Sequence, residues 1–117
     1  MQANKNKESQ KVINAIDGKK LKKMFINSLA LLKKQKSLVD SLNVFPVPDG
    51  DTGTNMYLTL LEAIKKAKDV KSDRVDKITA AISQGALMGA RGNSGVILSQ
   101  LLRGFSIANS SNYKMKP

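Results

Sequence analysis

Residues 43–53 read Asn43-Val-Phe-Pro-Val-Pro-Asp-Gly-Asp-Thr-Gly53, and this stretch divides the chain. Pro46 and Pro48 each lack an amide hydrogen, and each disfavours helical angles in the residue before it, so a helix ends here. Val44 and Phe45 offer apolar anchors, which marks an ordered loop rather than a slack linker. Upstream, Leu21, Met24, Phe25, Leu29, Leu32, Leu38, Val39 and Leu42 recur at helical spacing, while Lys20, Lys23, Lys33 and Lys34 fall largely off that stripe. Asp17 is a candidate N-cap for this segment, and Lys36-Ser37 a candidate break within it.

Downstream, a second helix is expected to begin near Thr54 or Asn55, with Tyr57, Leu60, Leu61, Ile64 and Ala67 inward. A third opens at Asp73, with Asp76 in its first turn, where the helix dipole favours an acid. Val75, Ile78, Ile82 and Leu87 form its apolar stripe. A second glycine-rich loop follows, Gly89-Ala-Arg-Gly-Asn-Ser-Gly95, and a fourth helix starts near Ser94 with Ile97, Leu98, Leu101, Leu102 and Phe105 inward. No segment alternates with period two, so the fold class is all-α. Residues 1–16 are expected to form a mobile basic tail, 17–108 the domain, and 109–117 a polar end that frays.

The chain has 117 residues, enough for one small domain, with 41% hydrophobic and 25% charged residues. It has no Cys and no His. Disulfides, thiolate or imidazole metal sites, and Cys or His catalysis are therefore excluded. Lys and Arg number 20 against 9 Asp and Glu, a formal charge of +11. Such an excess attracts polyanions, but it also arises on solvated helix faces, and the aromatic residues that would stack nucleic-acid bases are scarce. Nucleic acid is thus not an expected partner. No apolar run approaches the roughly eighteen residues of a membrane span, and the first residues lack the apolar core of a secretory signal. Stable membrane insertion is not expected, and a cytoplasmic location is.

The two loops carry the chemistry. Neither a P-loop nor a Gly-x-Gly-x-x-Gly fingerprint is present, and the Asp49–Asn55 run lacks the glycine and glutamate of an EF-hand. Asp49 and Asp51 are two carboxylates separated by Gly50, so one tight turn can aim both at a cation, and hard oxygen ligands suit Mg²⁺. Asn43 offers a further neutral oxygen. The alternative is a plain turn in which the acids cap the next helix. In the second loop Gly92, Asn93, Ser94 and Gly95 open a helix whose amides attract anions, and Arg91 adds a guanidinium suited to phosphate. The first loop leads into a helix start as well, with Thr52, Thr54 and Asn55 as donors. A tight interhelix turn is the alternative for the second loop. Acids at one helix start and anion donors at another are what a Mg²⁺–nucleotide site requires.

Leu38-Val-Asp-Ser-Leu-Asn-Val-Phe-Pro-Val-Pro-Asp-Gly-Asp-Thr-Gly-Thr-Asn-Met56 and Gly89-Ala-Arg-Gly-Asn-Ser-Gly-Val-Ile-Leu-Ser-Gln100 closely resemble the N-terminal nucleotide-binding domain of the bacterial fatty acid kinases, in the subunit that supplies ATP. This is the DAK2 (DhaL-like) domain, related to dihydroxyacetone kinases. The resemblance runs loosely from Asp17 to Phe105. It implies an antiparallel helical bundle closed like a barrel, with ATP at one mouth and two Mg²⁺ ions held by Asp49 and Asp51. It places Thr52, Gly53 and Asn55, and the helix start at Gly92, Asn93, Ser94 and Gly95, near the phosphates. Asn43 stands near a third metal ligand of the dihydroxyacetone kinase branch, and Arg91 is the candidate for neutralising transition-state charge.

The resemblance also implies partners and an acceptor. In fatty acid kinases a separate binding protein presents the fatty acid carboxylate, and the product is an acyl-phosphate; the full-length protein is a candidate homodimer. The alternatives are glycerone-kinase-type transfer and a non-catalytic domain that only binds a partner. The family domain continues past the region matched here, so the chain is expected to be part of a longer bundle. The helices at 54–68 and 94–108 are then expected to show bare apolar faces.

Overall fold

The structure is a computed structural model that describes residues 15–44 and 49–116. Four helices are present among them: α1 (Gly18–Ser41), α2 (Thr52–Lys68), α3 (Val75–Gly89) and α4 (Gly92–Ala108). No strand occurs among these residues beyond a single antiparallel bridge between Ile16 and Met115. The all-α bundle expected from the sequence is therefore the fold. No described helix is long and apolar enough to cross a membrane.

Helix α1 begins as expected, with the Asp17 carboxylate accepting the amide of Lys20 at 2.9 Å. It does not break at Lys36-Ser37 but runs on to Ser41. From Lys19 to Phe45 the sequence holds neither glycine nor proline, so nothing interrupts the hydrogen-bond ladder. Helices α2 and α4 start two residues before the expected points, and α3 starts two residues after Asp73. Asp76 does lie in the first turn of α3, clasped by Arg74 through Nε–Oδ1 (3.1 Å) and Nη2–Oδ2 (2.7 Å) bonds.

Helix α2 packs against all three others and lies at the centre. The core gathers Leu21 from α1, Leu60, Ala63, Ile64 and Ala67 from α2, Val75, Ile78, Ile82 and Ala86 from α3, and Leu102 from α4. Six positions of the expected apolar stripes are corrected by the structure. Leu87, Ile97 and Leu101 are exposed, as are Met24 and Leu38 on α1 and Leu42 at its C-cap. Helices α1 and α4 each meet neighbours along one side only, so the second half of each apolar stripe faces outward. The bare face expected on the 94–108 helix is present; the one expected on 54–68 is not, because α2 is surrounded.

The C-terminal stretch, described as far as Lys116, packs back on the bundle where fraying was expected. The carbonyls of Tyr113 and Asn112 accept the amides of Val75 and Asp76, both at 2.8 Å, and Ile16 and Met115 exchange two backbone bonds of 2.8 Å. A helix start leaves amides without partners inside the helix, and this returning segment supplies two of them at α3. The buried Asn109 anchors the turn through its side-chain bond to the Phe105 carbonyl at 2.9 Å. Arg74 stacks over the Tyr113 ring at 3.7 Å. Ile16, assigned to the tail by sequence, is thus part of the fold. Residues 1–14 and the loop residues 45–48, including Phe45, Pro46 and Pro48, lie outside the described residues.

Candidate functional site

The starts of α2 and α4, which carry the two sequence motifs, lie side by side. The Ser94 hydroxyl donates to the carbonyl of Thr52 at 3.2 Å. Two turns further along α2, the buried Thr59 hydroxyl accepts the Arg91 amide at 3.1 Å and donates to the Asn55 carbonyl at 2.8 Å. Two glycines permit this approach. A Cβ at Gly95 would fall on the Thr59 hydroxyl, and one at Gly92 would fall on the Asn55 carboxamide nitrogen; Gly92 also holds φ +65°. Asp49, Asp51, Arg91, Gly92 and Asn93 are exposed, and Thr52, Asn55 and Ser94 half-buried around them. The site is therefore an open surface at one end of the bundle.

The two helix starts differ in how their amides are satisfied. At α2, Asn43 Oδ1 accepts the amides of Asp51 (3.1 Å) and Thr52 (3.3 Å). Asp40 Oδ1 accepts the amide of Thr54 at 3.0 Å, and its Oδ2 accepts the Thr54 hydroxyl. The Thr54 hydroxyl and amide hold the Asp40 carboxyl below the usual carboxylate range. The Asn55 amide donates to the Asp51 carbonyl at 2.8 Å. The α2 amides expected to serve as anion donors are thus engaged within the protein. What Thr52 and Asn55 bring to the site is their side chains. At α4, by contrast, Arg91 in the capping position makes no side-chain cap. The α4 start is the one with amides suited to an anion.

The acids follow the same logic. Asp51 occupies the N-cap position of α2, yet its side chain makes no capping bond. Among the described residues, neither the Asp49 nor the Asp51 carboxylate takes part in a hydrogen bond or ion pair. The plain-turn reading, in which the acids cap the helix, does not describe this structure. Two exposed carboxylates separated by one glycine in the left-handed region (Gly50, φ +65°) suit a hard divalent cation. No group of three or more acidic residues able to hold a metal converges among the described residues. A cation here would complete its shell with water or phosphate oxygens, as Mg²⁺ commonly does. The two Asn43 Oδ1 bonds make that residue a brace for the loop in this arrangement.

Sequence reasoning missed two residues. Asp40 gave one signal: an acid in the last turn of a helix opposes the dipole and calls for a partner elsewhere. Thr59 gave another, being a polar residue beside Leu60 on the buried face of α2. Two clefts lie away from the site. One, of about 320 Å³, is lined by Lys19, Lys20, Lys23 and Lys114; the other, of about 330 Å³, lies beside Glu62, Gly85 and Gly89. Neither contains the paired carboxylates or the uncapped helix start.

The fold and site define a class of all-α bundle in which an acidic turn at the start of α2 lies beside a glycine-bearing start of α4. The DAK2 domain family matches residues 46–116, and the chain belongs to that family. The family is one of kinase-type, nucleotide-related domains. Protein YloV of Bacillus subtilis (strain 168) is 51% identical over 94 residues, covering 80% of this chain and 17% of that protein. The uncharacterized protein SSP1546 of Staphylococcus saprophyticus is 52% identical over 95 residues, covering 81% of this chain and 17% of that protein. The uncharacterized protein SAUSA300_1119 of Staphylococcus aureus (strain USA300) is 51% identical over 94 residues, with shares of 80% and 17%. The chain thus spans about a sixth of the length of these relatives.

Proposed function

We propose that this chain forms the Mg²⁺–ATP-binding part of a kinase whose acceptor is a fatty acid carboxylate presented by a separate binding protein. One observation carries the reading. Asp40 and Asn43 satisfy the α2 amides, which leaves the Asp49 and Asp51 carboxylates unengaged beside the uncapped start of α4. Asp49 and Asp51 would hold Mg²⁺, which when bound neutralises phosphate charge. The amides of Gly92, Asn93 and Ser94 would bind phosphate oxygens, and the exposed Arg91 would offset negative charge as it develops.

The chemistry asks little else of the side chains. Phosphoryl transfer depends mainly on positioning and charge neutralisation. A carboxylate acceptor is already ionised, so no general base is needed to activate it. A chain with neither His nor Cys is consistent with that demand. The DAK2 assignment supports nucleotide chemistry, and the resemblance to the fatty acid kinases supports the acceptor.

Calorimetric titration of the chain with ATP, with and without Mg²⁺, tests this reading. Affinity should depend on Mg²⁺, and the Asp49→Asn, Asp51→Asn double variant should lose that dependence while its stability stays within about 0.5 kcal/mol of the parent. Equal Mg²⁺–ATP affinity in parent and variant rejects it.

A further inference from the structure

We propose that Asp40 is a positioning residue for the acidic turn: it caps α2 from the neighbouring helix and so keeps the Asp51 carboxylate from folding back onto its own helix. An N-cap aspartate ordinarily accepts the amide of the second or third helical residue. For Asp51 those residues are Gly53 and Thr54. In this structure the Thr54 amide and hydroxyl both go to Asp40, which stands eleven positions earlier in the chain, and Asp51 makes no cap. Asn43 takes the amides of Asp51 and Thr52.

The placement of Asp40 is otherwise unfavourable. It lies in the last turn of α1, where the helix dipole repels an acid, and no basic residue of that turn offsets it. Its position is matched instead to the positive end of α2. The approach depends on Gly53: a Cβ there would fall on the Lys36 carbonyl oxygen and lie 2.9 Å from Val39 Cβ. The last turns of α1 and the first turn of α2 are therefore in direct contact, with Asp40 bridging them. The consequence for cation binding rests on the functional reading above; the capping exchange itself does not.

The test uses the Asp40→Ala variant. A crystal structure without metal should show the Asp51 carboxylate within hydrogen-bonding distance of the Gly53 or Thr54 amide. An Asp51 side chain that stays unengaged overturns the proposal, whether or not the protein binds metal. Mn²⁺ titration of the parent and variants provides the second arm. Asp40→Ala should weaken Mn²⁺ about tenfold, and Asp40→Asn, which keeps an amide acceptor, should stay within about threefold of the parent. A core variant, Ile82→Val, controls for general loosening and should leave Mn²⁺ affinity unchanged.

If the parent binds Mn²⁺ and Asp40→Ala binds it equally well, the positioning role is refuted while the cation site stands. If the parent binds no Mn²⁺, the cation site is refuted and the metal-free crystal structure alone decides the capping exchange. Should Asp40→Ala fail to fold, Asp40→Ser, whose shorter side chain retracts the acceptor from the Thr54 amide, carries the same expectations and the same overturning results.

Discussion

Replacing Thr59 by Val tests whether a single buried hydroxyl holds the two halves of the site together. Val keeps the branched shape, so the change removes two hydrogen bonds without opening a large cavity. The bond from Thr59 to the Asn55 carbonyl, at 2.8 Å, is a back-bond along the same helix and contributes little, since that carbonyl retains its helical role. The bond accepted from the Arg91 amide, at 3.1 Å, is the one that counts, because it crosses from α2 to the α4 start. An ordinary bond of this kind contributes about 1 kcal/mol, and stranding its donor costs about 1–3 kcal/mol. Arg91 is exposed, so water partly replaces the lost acceptor and the lower end applies. The expected loss is about 1–2 kcal/mol, a fall in Tm of about 4–8 °C for each kcal/mol. Urea denaturation followed by far-UV circular dichroism measures the loss, and amide exchange locates it at Arg91. Thr59→Ser, which retains the hydroxyl, should preserve Arg91 protection. An unchanged midpoint with unchanged Arg91 exchange in the Val variant would refute the argument that this hydroxyl joins the helix starts.

Three further outcomes follow from the same geometry. Gly92→Ala should lose about 1–2 kcal/mol from the left-handed backbone alone, and more if Asn55 must move; a variant as stable as the parent in urea counts against that conformation. Stability should fall in acid. Asp40 and Asp76 are held below the usual carboxylate range by Thr54 and Arg74, so the unfolded chain takes up protons first; their contribution is complete at neutral pH and is lost as pH drops through the carboxylate range and below it. Asp76→Asn should flatten that slope in urea midpoints measured from neutral to acid pH. Deleting residues 112–117 should expose the amides of Val75 and Asp76 and cost about 2–3 kcal/mol, with increased exchange confined at first to the α3 start; a truncated chain of parental stability would mean the returning segment is ornamental.

Most of the architecture was legible because helical periodicity is a local signal. The apolar spacing of residues 21–42, 57–67, 75–87 and 97–105 pointed to four helices, and Asp17 marked a boundary correctly because capping involves neighbours three residues apart. Boundaries elsewhere slipped by two residues, since Thr52 and Gly92 enter their helices through caps or contacts supplied by other segments. The core stripes were read too wide. Leu87, Ile97 and Leu101 match the period, but a period does not say how many neighbours a helix has, and α1 and α4 are lined on one side only. The polar end at 109–116 looked unstructured because its contribution comes from backbone carbonyls, which composition does not register.

The sequence alone determined the residue types of the candidate site and their order: two acids one glycine apart, then an Arg-Gly-Asn-Ser-Gly run, in a chain with no His or Cys to carry other chemistry. It also placed these residues at or beside helix starts. What only the tertiary structure decided is which side chain satisfies which amide. From sequence, Asp51 is the natural cap of α2. In the fold, Asp40 reaches across from α1 and takes that role, while Thr59 and Ser94 draw the second loop against the first. Hydrogen-bond partners separated by fourteen, thirty-two and forty-two residues become neighbours only when α1, α2 and α4 pack, and the competition for a helix's free amides is settled there.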